Sequence, residues 1–501
     1  MQPVIVAAAQ VANKDEGRLV SSLDLILEAV GRATGGLGPG LHGTLDAVYT
    51  TPASVFAEGS TAQELATRLG LAGAATVESG YSGCSPQQLL AAACDEIVAG
   101  RARSVLLAGG VADASVRRAR QAGVAPPGLP TAQWSQGTAA PPSQARQARF
   151  NGHRGHGDAL TGLTLPVSIF AMLESTLAFR SGHGPPARRE WLGRLLAPFS
   201  AVAATHPDLA WFPVARQAEE ISAVHPANRL VAQPYTKLMA SFPTVDLAAA
   251  LVVTSEEMAD QLHIPQDQRV YPVAAASCHE PYPPLGRPDI AGVPALHAAV
   301  ERAAAGAAQD LAAVTFLDVY SCFPAAIALC AGAVGVDPLA HPLTVTGGLP
   351  YFGGPGAGYQ LHALVTLADA LRRQPEATAA TIGLGGFVGD FSAGVYRGTP
   401  PERPWRNDLC LDVEAQLRTE SVAVEPGRHG WAEVEAMTVV HDRNDGPFAA
   451  PVFARFADGT RVGASLAVPA MAADLDGTSL VGQQVRIEVR DGQPCYWPSG
   501  H

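Results

Sequence analysis

Short apolar segments alternate with Ala-rich helical segments along most of the chain. MQPVIVAAAQV at 1–11 and SVLLA at 104–108 are too short and too apolar for anything but buried strands. The stretch from Gln87 to Ala99 contains no helix-breaking residue and follows Pro86, which suits the first turn of a helix. This alternation predicts βαβ units around a mostly parallel sheet, and hence an α/β fold.

The apolar segments of the first half recur in the same order in the second half. VIVAAAQ, which starts at residue 4, returns as YPVAAAS at 271, and LDAVYTTPASV at 45 returns as LDVYSCFPAAI at 317. SVLLAGG at 104 is matched by ATIGLGG at 380, and ALVVTS at 250 by AGVYRGT at 393. The conserved order and spacing predict a duplicated α/β core.

A long insertion separates the two halves. Its first part, 121–150, is rich in Pro, Gly, Ala and Gln and predicts an extended loop. VSIFAMLESTLAF at 167–179 and RREWLGRLLAPFSAV at 188–202 have the apolar spacing of helices. These two helices are expected to cover the sheet or line a cleft.

The pattern of apolar and polar residues changes after TPPERP at 399–404. From about residue 412, short alternating β segments are divided by DG, GT and NDG turns, which predicts a small OB-like β-barrel. We expect the first half of the core to span residues 1–266 and to include a loop domain at about 120–240. The second half is expected at 267–404 and the additional C-terminal domain at 412–501.

Length and composition narrow the class of protein. With 501 residues, 47% of them hydrophobic, the chain can form two or three domains with sizeable cores. Its seven cysteines lack metal-type spacing, so we expect reduced thiols in a cytoplasmic protein and no metal site. The net charge of −12 disfavours nucleic acid as a partner. The longest apolar stretch, Leu317–Val336, is interrupted by polar residues and Pro324, so no membrane span is predicted.

One cysteine, Cys84, stands at the mouth of the helix that begins at about Ser85. Unpaired N–H groups and the positive end of the helix dipole would face its sulfur, and such an environment lowers a thiol pKa from about 8.5. That placement favours a thiolate nucleophile. The alternative is a buried structural cysteine, because free cysteines are often buried.

Several strings resemble those of the thiolase superfamily, in particular the branch of thiolase-like proteins type 1. This branch resembles sterol-carrier-protein thiolases and adds a C-terminal domain. The likeness spans nearly the whole chain and rests on NRLVAQPYTKLM at 228–239, LDVYSCFPAAI at 317–327, PLTVTGGLPYFGGPGAGYQLHA at 342–363, and GLGG through AGVY at 383–396. It implies a duplicated thiolase fold of two βαβαβαββ halves in a five-layered α/β/α/β/α core, followed by the OB-like barrel.

The resemblance implies that Cys84 accepts an acyl group from coenzyme A. In the type 1 branch an Asn-like residue is expected in a GGNSPQ-type string, so GCSPQ here either restores a nucleophile or is neutral drift. The HDCF string of sterol-carrier-protein thiolases supplies a second cysteine as acid and base. Here Cys322 keeps that cysteine, while Tyr320 and Ser321 replace the His and Asp.

Two other parts of the thiolase site are missing from the sequence. The GHP histidine, which stabilises the thioester oxyanion, is replaced in the string GGP at 353–355. Since loss of an oxyanion donor costs about 10² to 10³ in rate, we expect His362, Tyr351 or Tyr359 to substitute for it. The CxG cysteine is also absent, with Thr381 in its place.

Coenzyme A is expected as a substrate thioester, with no covalently bound cofactor. Arginines crowd the insertion, and among them Arg149 and Arg154 are candidates to contact its phosphates, although solvated helix faces explain most of these arginines equally well. Gly354, in the Gly-rich run 347–358, is expected to allow close backbone approach to the Cys84 helix mouth or to a pantetheine arm. Gly385 is a further candidate to contact coenzyme A.

Three functions remain open. The first is an acyl-CoA acyltransferase of lipid metabolism, similar to acetyl-CoA acetyltransferase, in which Cys84 is acylated, Cys322 moves the proton and His362 or backbone N–H groups hold the oxyanion. The second is an aldolase that cleaves a β-hydroxyacyl-CoA with Tyr320 and Tyr351 as acid and base. The third is an acyl-CoA-binding protein without turnover. The chain could be a monomer or a homodimer.

Overall fold

The computed structural model describes residues 1–35, 38–53, 60–71, 73–128, 165–443 and 446–498. The strands are β1 (Pro3–Ala12), β2 (Leu45–Thr50), β3 (Ala75–Glu78), β4 (Ser104–Ala112), β5 (Leu230–Ala232), β6 (Tyr235–Thr236), β7 (Asp246–Ser255), β8 (Tyr271–His279), β9 (Phe316–Val319), β10 (Thr378–Gly385), β11 (Asp390–Arg397), β12 (Arg406–Asp408), β13 (Gly430–Met437), β14 (Val440–Asp442), β15 (Gly446–Ala449), β16 (Val452–Phe456), β17 (Arg461–Leu466), β18 (Gln484–Arg490) and β19 (Gln493–Trp497).

The α-helices of these residues are Ser22–Thr34, Gly38–His42, Thr61–Arg68, Ser85–Val98, Asp113–Gln121, Pro166–Arg180, Pro185–Ala204, Ala218–Ser222, Glu256–Gln261, Pro294–Ala307, Pro324–Val334, Gly348–Tyr351, Tyr359–Arg373, Leu411–Leu417 and Ala472–Leu475. Two of them recur below under fixed names. Ser85–Val98 is called the Cys84 helix, and Tyr359–Arg373 is called the Gln360 helix.

Two five-stranded sheets share the topology of four strands, and their fifth strands, β3 and β12, lie at opposite edges. The first has the order β1-β7-β4-β2-β3 and the second the order β12-β8-β11-β10-β9. In both, a central strand pairs antiparallel with its two neighbours: β7 with β1 and β4, and β11 with β8 and β10. Strands β2 and β9 then continue each sheet in parallel. The four repeated sequence strings lie on these matching strands, which confirms the predicted duplication.

Apolar side chains fill the spaces between five layers. The Cys84 helix and the Gln360 helix lie between the sheets, where Leu90, Leu107 and Leu364 belong to one buried cluster. Helix Ser22–Thr34 covers the outer face of the first sheet. Helices Pro294–Ala307 and Pro324–Val334 cover the outer face of the second. The α/β/α/β/α thiolase fold expected from the resemblance is confirmed. Because both faces of the sheets are covered, strands such as β7 are buried along their whole length, and β7 is apolar at 247–253.

The two predicted helices of the insertion are present as Pro166–Arg180 and Pro185–Ala204. A buried ion pair joins them, with Arg188 Nε 2.7 Å from Glu174 Oε1. The Tyr235 hydroxyl donates to Glu174 at 2.7 Å and accepts from the backbone N–H of Ala325 at 3.2 Å. This network holds the insertion against helix Pro324–Val334.

The C-terminal region forms a closed five-stranded barrel of order β13-β16-β17-β19-β18, with its own apolar core. A closed barrel agrees with the predicted OB-like domain. A four-stranded sheet, β15-β14-β5-β6, joins this region to the insertion. Gln233 reinforces the junction, since its side chain donates to the Thr478 carbonyl at 2.7 Å and accepts from the Gly477 N–H at 2.6 Å.

Candidate active site

Cys84 lies at the N-terminus of the Cys84 helix, between the two sheets. It occupies the capping position without a side-chain capping bond, and its carbonyl accepts the Gln88 N–H at 3.1 Å. Pro86 stands in the first turn, as predicted. The thiol is completely buried. In the described residues it therefore sits inside the core, at the junction of the two halves.

Glycines let the second half approach Cys84 closely. A Cβ on Gly83 would lie 2.5 Å from Cζ of Tyr320 and would overlap the Leu384 carbonyl oxygen. A Cβ on Gly385 would lie 2.6 Å from the Gly83 nitrogen. The backbone at Gly385 thus comes close to the helix mouth. Its contact with coenzyme A stays a prediction.

The Cys84 thiol donates to the Asp390 carbonyl oxygen at 3.2 Å. Burial raises its pKa well above the ordinary value, and the negative charge of Asp390 raises it further, whereas the neighbouring Ser392 hydroxyl lowers it. We expected the helix N-terminus to lower the pKa of this thiol. That expectation is wrong for the described structure, because loss of hydration outweighs the helix end. Cys84 is a protonated thiol until a ligand or a base changes its surroundings.

One row of small and polar side chains crosses the sheet face beside Cys84. Ser392 on β11 lies opposite Gly383 on β10 and Ser277 on β8. Directly opposite residues of antiparallel strands point to the same face. Ser392 therefore links two regions that flank the thiol: a buried one at Gly383 and an open one at Ser277.

Gln360 fills the buried region. A Cβ on Gly383 would lie 2.9 Å from both Nε2 and Oε1 of Gln360 and would overlap Ser392 Oγ. The Gln360 side chain is 2% exposed, and both of its amide atoms lack a hydrogen-bond partner. An unpaired buried polar group costs about 1–3 kcal/mol, so such an amide is suited to binding a polar atom of a ligand. The sequence analysis missed Gln360, although it lies in the Gly-rich string that carried the resemblance.

Cys322, the predicted second cysteine, lies in the turn between β9 and helix Pro324–Val334. Burial raises its pKa well above the ordinary value, and the charge of Cys330 raises it further. The same Cys330 raises the pKa of Cys84. The charge of Cys330 thus acts on both thiols, and Cys84, Cys322 and Cys330 are all buried; we call these three the buried group of thiols. Tyr320, two residues before Cys322, joins this group, because the charges of Cys322 and Cys84 raise its pKa.

His362, a predicted oxyanion donor, faces the first sheet. Its Nδ1 lies 2.8 Å from Oε1 of Gln10 on β1, and its ring packs 5.3 Å from the Phe352 ring. Burial lowers its pKa to about 3, so the imidazole is neutral. Its Nε2 is buried without a partner. The contacts that the structure gives this ring do not include Cys84.

Tyr351, the other predicted donor, points into the insertion. Its hydroxyl is buried without a partner, and burial raises its pKa. The charged groups that affect it are Arg216 and Glu220, both in the insertion. The Tyr359 hydroxyl forms a hydrogen bond with the Thr346 hydroxyl at 2.7 Å. The contacts that the structure gives these two hydroxyls do not include the Cys84 thiol.

The Gly-rich run 347–358 packs mainly on other elements. A Cβ on Gly354, at the position of the missing histidine, would lie 3.4 Å from the Leu349 side chain and 3.5 Å from the Phe242 carbonyl. Gly356, at φ +55°, approaches the Tyr81 hydroxyl, three residues before Cys84. Only this part of the run comes near the helix mouth. The role of Gly354 in binding coenzyme A stays a prediction.

A groove of about 370 Å³ reaches the other end of the polar row. Gln88 and Ala91 of the Cys84 helix form one wall, and Ser277, His279 and Ser392 form the other. The groove brings solvent to within one side chain of the thiol, because Ser392 contacts Cys84. Sequence reasoning missed it, although β8 places Ser277 and His279 at alternate positions of one strand.

Two carboxylates flank His279 at the end of the groove. Its Nδ1 lies 2.7 Å from Glu414 Oε1, and its Nε2 lies 3.7 Å from Asp390 Oδ1. The ring is 45% exposed. Asp390 thus contacts the thiol through its carbonyl and the imidazole through its carboxylate. A proton acceptor is therefore available beside the groove.

The remaining predictions concern charged ligands. Arg149 and Arg154 lie outside the described residues. Within the described ranges, no three His, Cys, Asp or Glu side chains are grouped to hold a metal ion. No helix in the part of the chain that the structure describes is long and apolar enough to cross a membrane.

Comparisons with known proteins agree with this architecture. No family model and no curated protein matches the chain. The crystal structure of a monomeric SCP2-thiolase-like protein type 1 from Mycobacterium smegmatis is similar over 99% of both chains, with 26% identity and a TM-score of 0.83. The Ltp2–ChsH2(DUF35) aldolase covers 79% of this chain and 97% of its own, at 18% identity and a TM-score of 0.59. Human mitochondrial 3-ketoacyl-CoA thiolase covers 79% and 99%, at 19% identity and a TM-score of 0.56.

The last two likenesses stop short of the full chain and show the fold alone. The first extends over the whole chain, including the C-terminal barrel. The chain therefore has the fold of the thiolase superfamily and resembles a thiolase-like protein type 1 along its entire length.

Proposed function

We propose that this protein transfers an acyl group from a coenzyme A thioester through an acyl-enzyme on Cys84. The observation that carries the proposal is the position of the thiol. Cys84 stands at a helix N-terminus where both halves of a thiolase fold meet, and an unpaired Gln360 amide lies one residue away across Ser392. A nucleophile and a free polar group are thus held on one face.

Acylation of Cys84 neither consumes nor releases a proton overall. The Cys84 sulfur attacks the thioester carbonyl carbon, the bond from that carbon to the coenzyme A sulfur breaks, and the thiol proton ends on the departing sulfur. Since burial keeps Cys84 protonated, a carrier must move that proton during the reaction. Cys322 is our proposed carrier, because it shares the buried group of thiols with Cys84 and Cys330.

Gln360 is our proposed replacement for the missing histidine. The Gln360 Nε2 is a buried donor with no partner. Neutral His362 donates its one ring proton from Nδ1 to Oε1 of Gln10, so its unpaired Nε2 has no proton to donate. A preorganised amide donor stabilises a developing oxyanion because it needs no reorganisation at the moment of reaction. We therefore assign the oxyanion to Gln360 rather than to His362 or Tyr351.

A second candidate function is carbon–carbon cleavage of a β-hydroxyacyl-CoA. It is favoured by Tyr320, whose ring lies against Gly83 beside the thiol. Tyr351, the second tyrosine expected for that reaction, faces Arg216 and Glu220 instead. The aldolase would therefore have to work with Tyr320 alone, and acyl transfer is the better supported function.

Intact-mass analysis after incubation with acetyl-CoA or a longer acyl-CoA tests the proposal. We expect one acyl adduct, which Cys84→Ala abolishes and Cys94→Ala retains. Cys94 is a matched control because it is equally buried on the same helix, away from its mouth. An adduct that persists in Cys84→Ala contradicts the proposal. No adduct, together with measurable coenzyme A binding, would favour a binding protein, and aldehyde or ketone release from a β-hydroxyacyl-CoA would favour the aldolase.

A further inference from the structure

The groove beside Cys84 is larger than the passage of solvent requires. Its volume is about 370 Å³, whereas a water molecule takes about 30 Å³ and ligand sites usually measure about 300–1,000 Å³. Four alanines contribute to its surface, Ala91 and Ala92 on the Cys84 helix and Ala275 and Ala276 on β8. Such small apolar side chains leave room for a carbon skeleton. The groove therefore has the size and the surface of a binding site for a small organic molecule.

One serine separates this groove from the thiol. Ser392 lines the groove, and its hydroxyl neighbours Cys84. The Ser392 side chain is fully buried, and its Oγ has no hydrogen-bond partner among the described residues. Asp390, two residues earlier on β11, accepts a hydrogen bond from the thiol through its carbonyl oxygen at 3.2 Å. An acyl group on Cys84 would therefore lie beside an unpaired hydroxyl at the inner end of the groove.

His279 lines the same groove with its ring held in place. Glu414 Oε1 lies 3.1 Å from the backbone nitrogen of His279 and 2.7 Å from the ring Nδ1. Because a carboxylate only accepts hydrogen bonds, Nδ1 carries the ring proton, and Nε2 is the nitrogen that can take up another. Nε2 lies 3.7 Å from Asp390 Oδ1, beyond hydrogen-bond distance. The imidazole is thus a base that one carboxylate orients.

The charges around the groove disfavour an anionic ligand. Asp95 lies in its wall, and Glu414 and Asp390 flank His279. No arginine or lysine lines the groove in the part of the chain that the structure describes. The phosphates of a second coenzyme A thioester would be repelled there. The same carboxylates would hold an amine as an ammonium ion, which is not a nucleophile. An uncharged hydroxyl compound is the nucleophile that fits.

We propose that the groove admits a small uncharged alcohol as the acyl acceptor and that His279 takes up its proton. The inference rests on the acyl-enzyme proposed above. The alcohol oxygen attacks the carbonyl carbon of the acyl group on Cys84 while the alcohol proton moves to Nε2 of His279. The bond from that carbon to the Cys84 sulfur then breaks, and the proton passes by way of the Ser392 hydroxyl to the sulfur. Overall, an acyl thioester and an alcohol become an ester and a free thiol.

The test starts from the acyl-enzyme formed with acetyl-CoA and separated from excess coenzyme A by gel filtration. Glycerol or 1-butanol is then added, the loss of the adduct is followed by intact mass, and the ester is identified by mass spectrometry. We expect each alcohol to shorten the lifetime of the adduct about tenfold or more, because an acceptor bound in the groove meets the acyl carbon at a high effective concentration. Butylamine and acetate at equal concentration should leave the lifetime unchanged.

A variant without the imidazole separates catalysis from structure. His279→Ala should still form the adduct but should lose it to the alcohol about 10² to 10⁴ times more slowly, the usual contribution of a general base. Imidazole added to the buffer should restore part of this rate, since the His279 ring is 45% exposed. A merely structural role would not respond to imidazole. His297→Ala is the control, because this histidine is exposed and lies outside the groove.

A second variant fills the groove. Ala92 is exposed, so the fold can accept the ring of Ala92→Phe, which should abolish the effect of the alcohol. Ala99→Phe, at the exposed end of the same helix and outside the groove, should respond as the unmodified protein does. Circular dichroism confirms folding of each variant.

The outcomes distinguish this inference from the function on which it rests. No adduct in the unmodified protein contradicts acyl transfer at Cys84, and the acceptor site fails with it. An adduct that forms but whose lifetime is unchanged by the alcohols overturns the acceptor site alone. Equal loss of the adduct to the alcohol in His279→Ala and in the unmodified protein overturns the role of His279.

Discussion

Burial of the Gln360 side chain lowers the stability of the fold, and no hydrogen bond in the described residues compensates for it. Its amide is buried with both atoms unpaired, while Gln87, a buried amide on the facing helix, accepts hydrogen bonds from Thr381 at 2.9 Å and from Tyr396. The two glutamines are equally buried, but Gln87 stabilises the fold through its hydrogen bonds and Gln360 destabilises it. Stability spent on an unsatisfied group is typical of binding and catalytic sites.

We predict that Gln360→Leu raises the free energy of unfolding by about 1 kcal/mol or more, because it removes an unpaired buried amide. The same change should slow acylation of Cys84 by about 10² to 10³, the cost of a lost oxyanion donor. Urea unfolding and the time course of the acyl adduct measure the two effects.

Gln87→Leu is the matched control for this pair of measurements. It removes the acceptor of the Thr381 and Tyr396 hydroxyls and leaves both without this hydrogen bond, so it should lower the free energy of unfolding. If Gln360→Leu is destabilising and leaves the acylation rate unchanged, Gln360 has a structural role and the oxyanion assignment fails.

At the scale of elements, the turn before the Cys84 helix requires a glycine at position 83, because there is no room for a side chain there. Gly83→Ala would press a methyl group into the Tyr320 ring and the Leu384 carbonyl, so we predict a loss of stability of about 1–3 kcal/mol. The displaced turn should also reduce acylation of Cys84. Gly80→Ala, with no atom within 4 Å of the new methyl group, should change neither. Chemical unfolding and adduct formation check both variants, and equal behaviour of the two would refute the steric argument.

Two buried side chains, His362 on the Gln360 helix and Asp318 on β9, have pKa values shifted in opposite directions. Burial lowers the pKa of His362 to about 3 and raises the pKa of Asp318 to about 7. An unfolded histidine protonates near about 6.5, so neutral His362 costs stability as the pH falls below that value. An unfolded aspartate ionises near about 3.9, so Asp318 costs stability as the pH rises from there towards 7.

Relative to the unmodified protein, we predict that His362→Gln gains stability as the pH falls from about 6.5 to 4, at up to about 1.4 kcal/mol per pH unit. Asp318→Asn should gain stability in the reverse direction, as the pH rises from about 4 to 7. Urea midpoints across this range measure both. Parallel curves for the two variants would show that the groups do not titrate as their burial requires.

Sequence was sufficient for most elements and for the nucleophile candidate. The four repeated strings fall on matching strands because strands of a sheet that is covered on both faces must be short and apolar, and that constraint is visible in one sequence. Cys84 was located by its helix. Gln360, His279 and Glu414 were not, because their significance depends on strand register and on contacts more than a hundred residues apart. The wrong pKa direction for Cys84 has the same cause, since burial is a tertiary property.

For the whole molecule, Arg461 joins the barrel to the core. Its side chain is 1% exposed and pairs with Glu435 of the barrel. It also donates to carbonyl oxygens of the second half, at 3.0 Å for Pro288 and 3.3 Å for Leu285. The barrel is therefore held by a buried charge whose partners lie on both sides of the junction.

Arg461→Met keeps the length of the side chain and removes its charge. We predict a loss of about 3–5 kcal/mol, because the change leaves buried carbonyls and part of the Glu435 charge unpaired. The loss should appear as a separate early unfolding step of the barrel, with new protease cleavage between residues 418 and 429. Arg486→Met, whose side chain is 62% exposed, should change stability by less than about 0.5 kcal/mol. A single unfolding transition with an unchanged midpoint in Arg461→Met would mean that the apolar and backbone contacts alone hold the barrel in place.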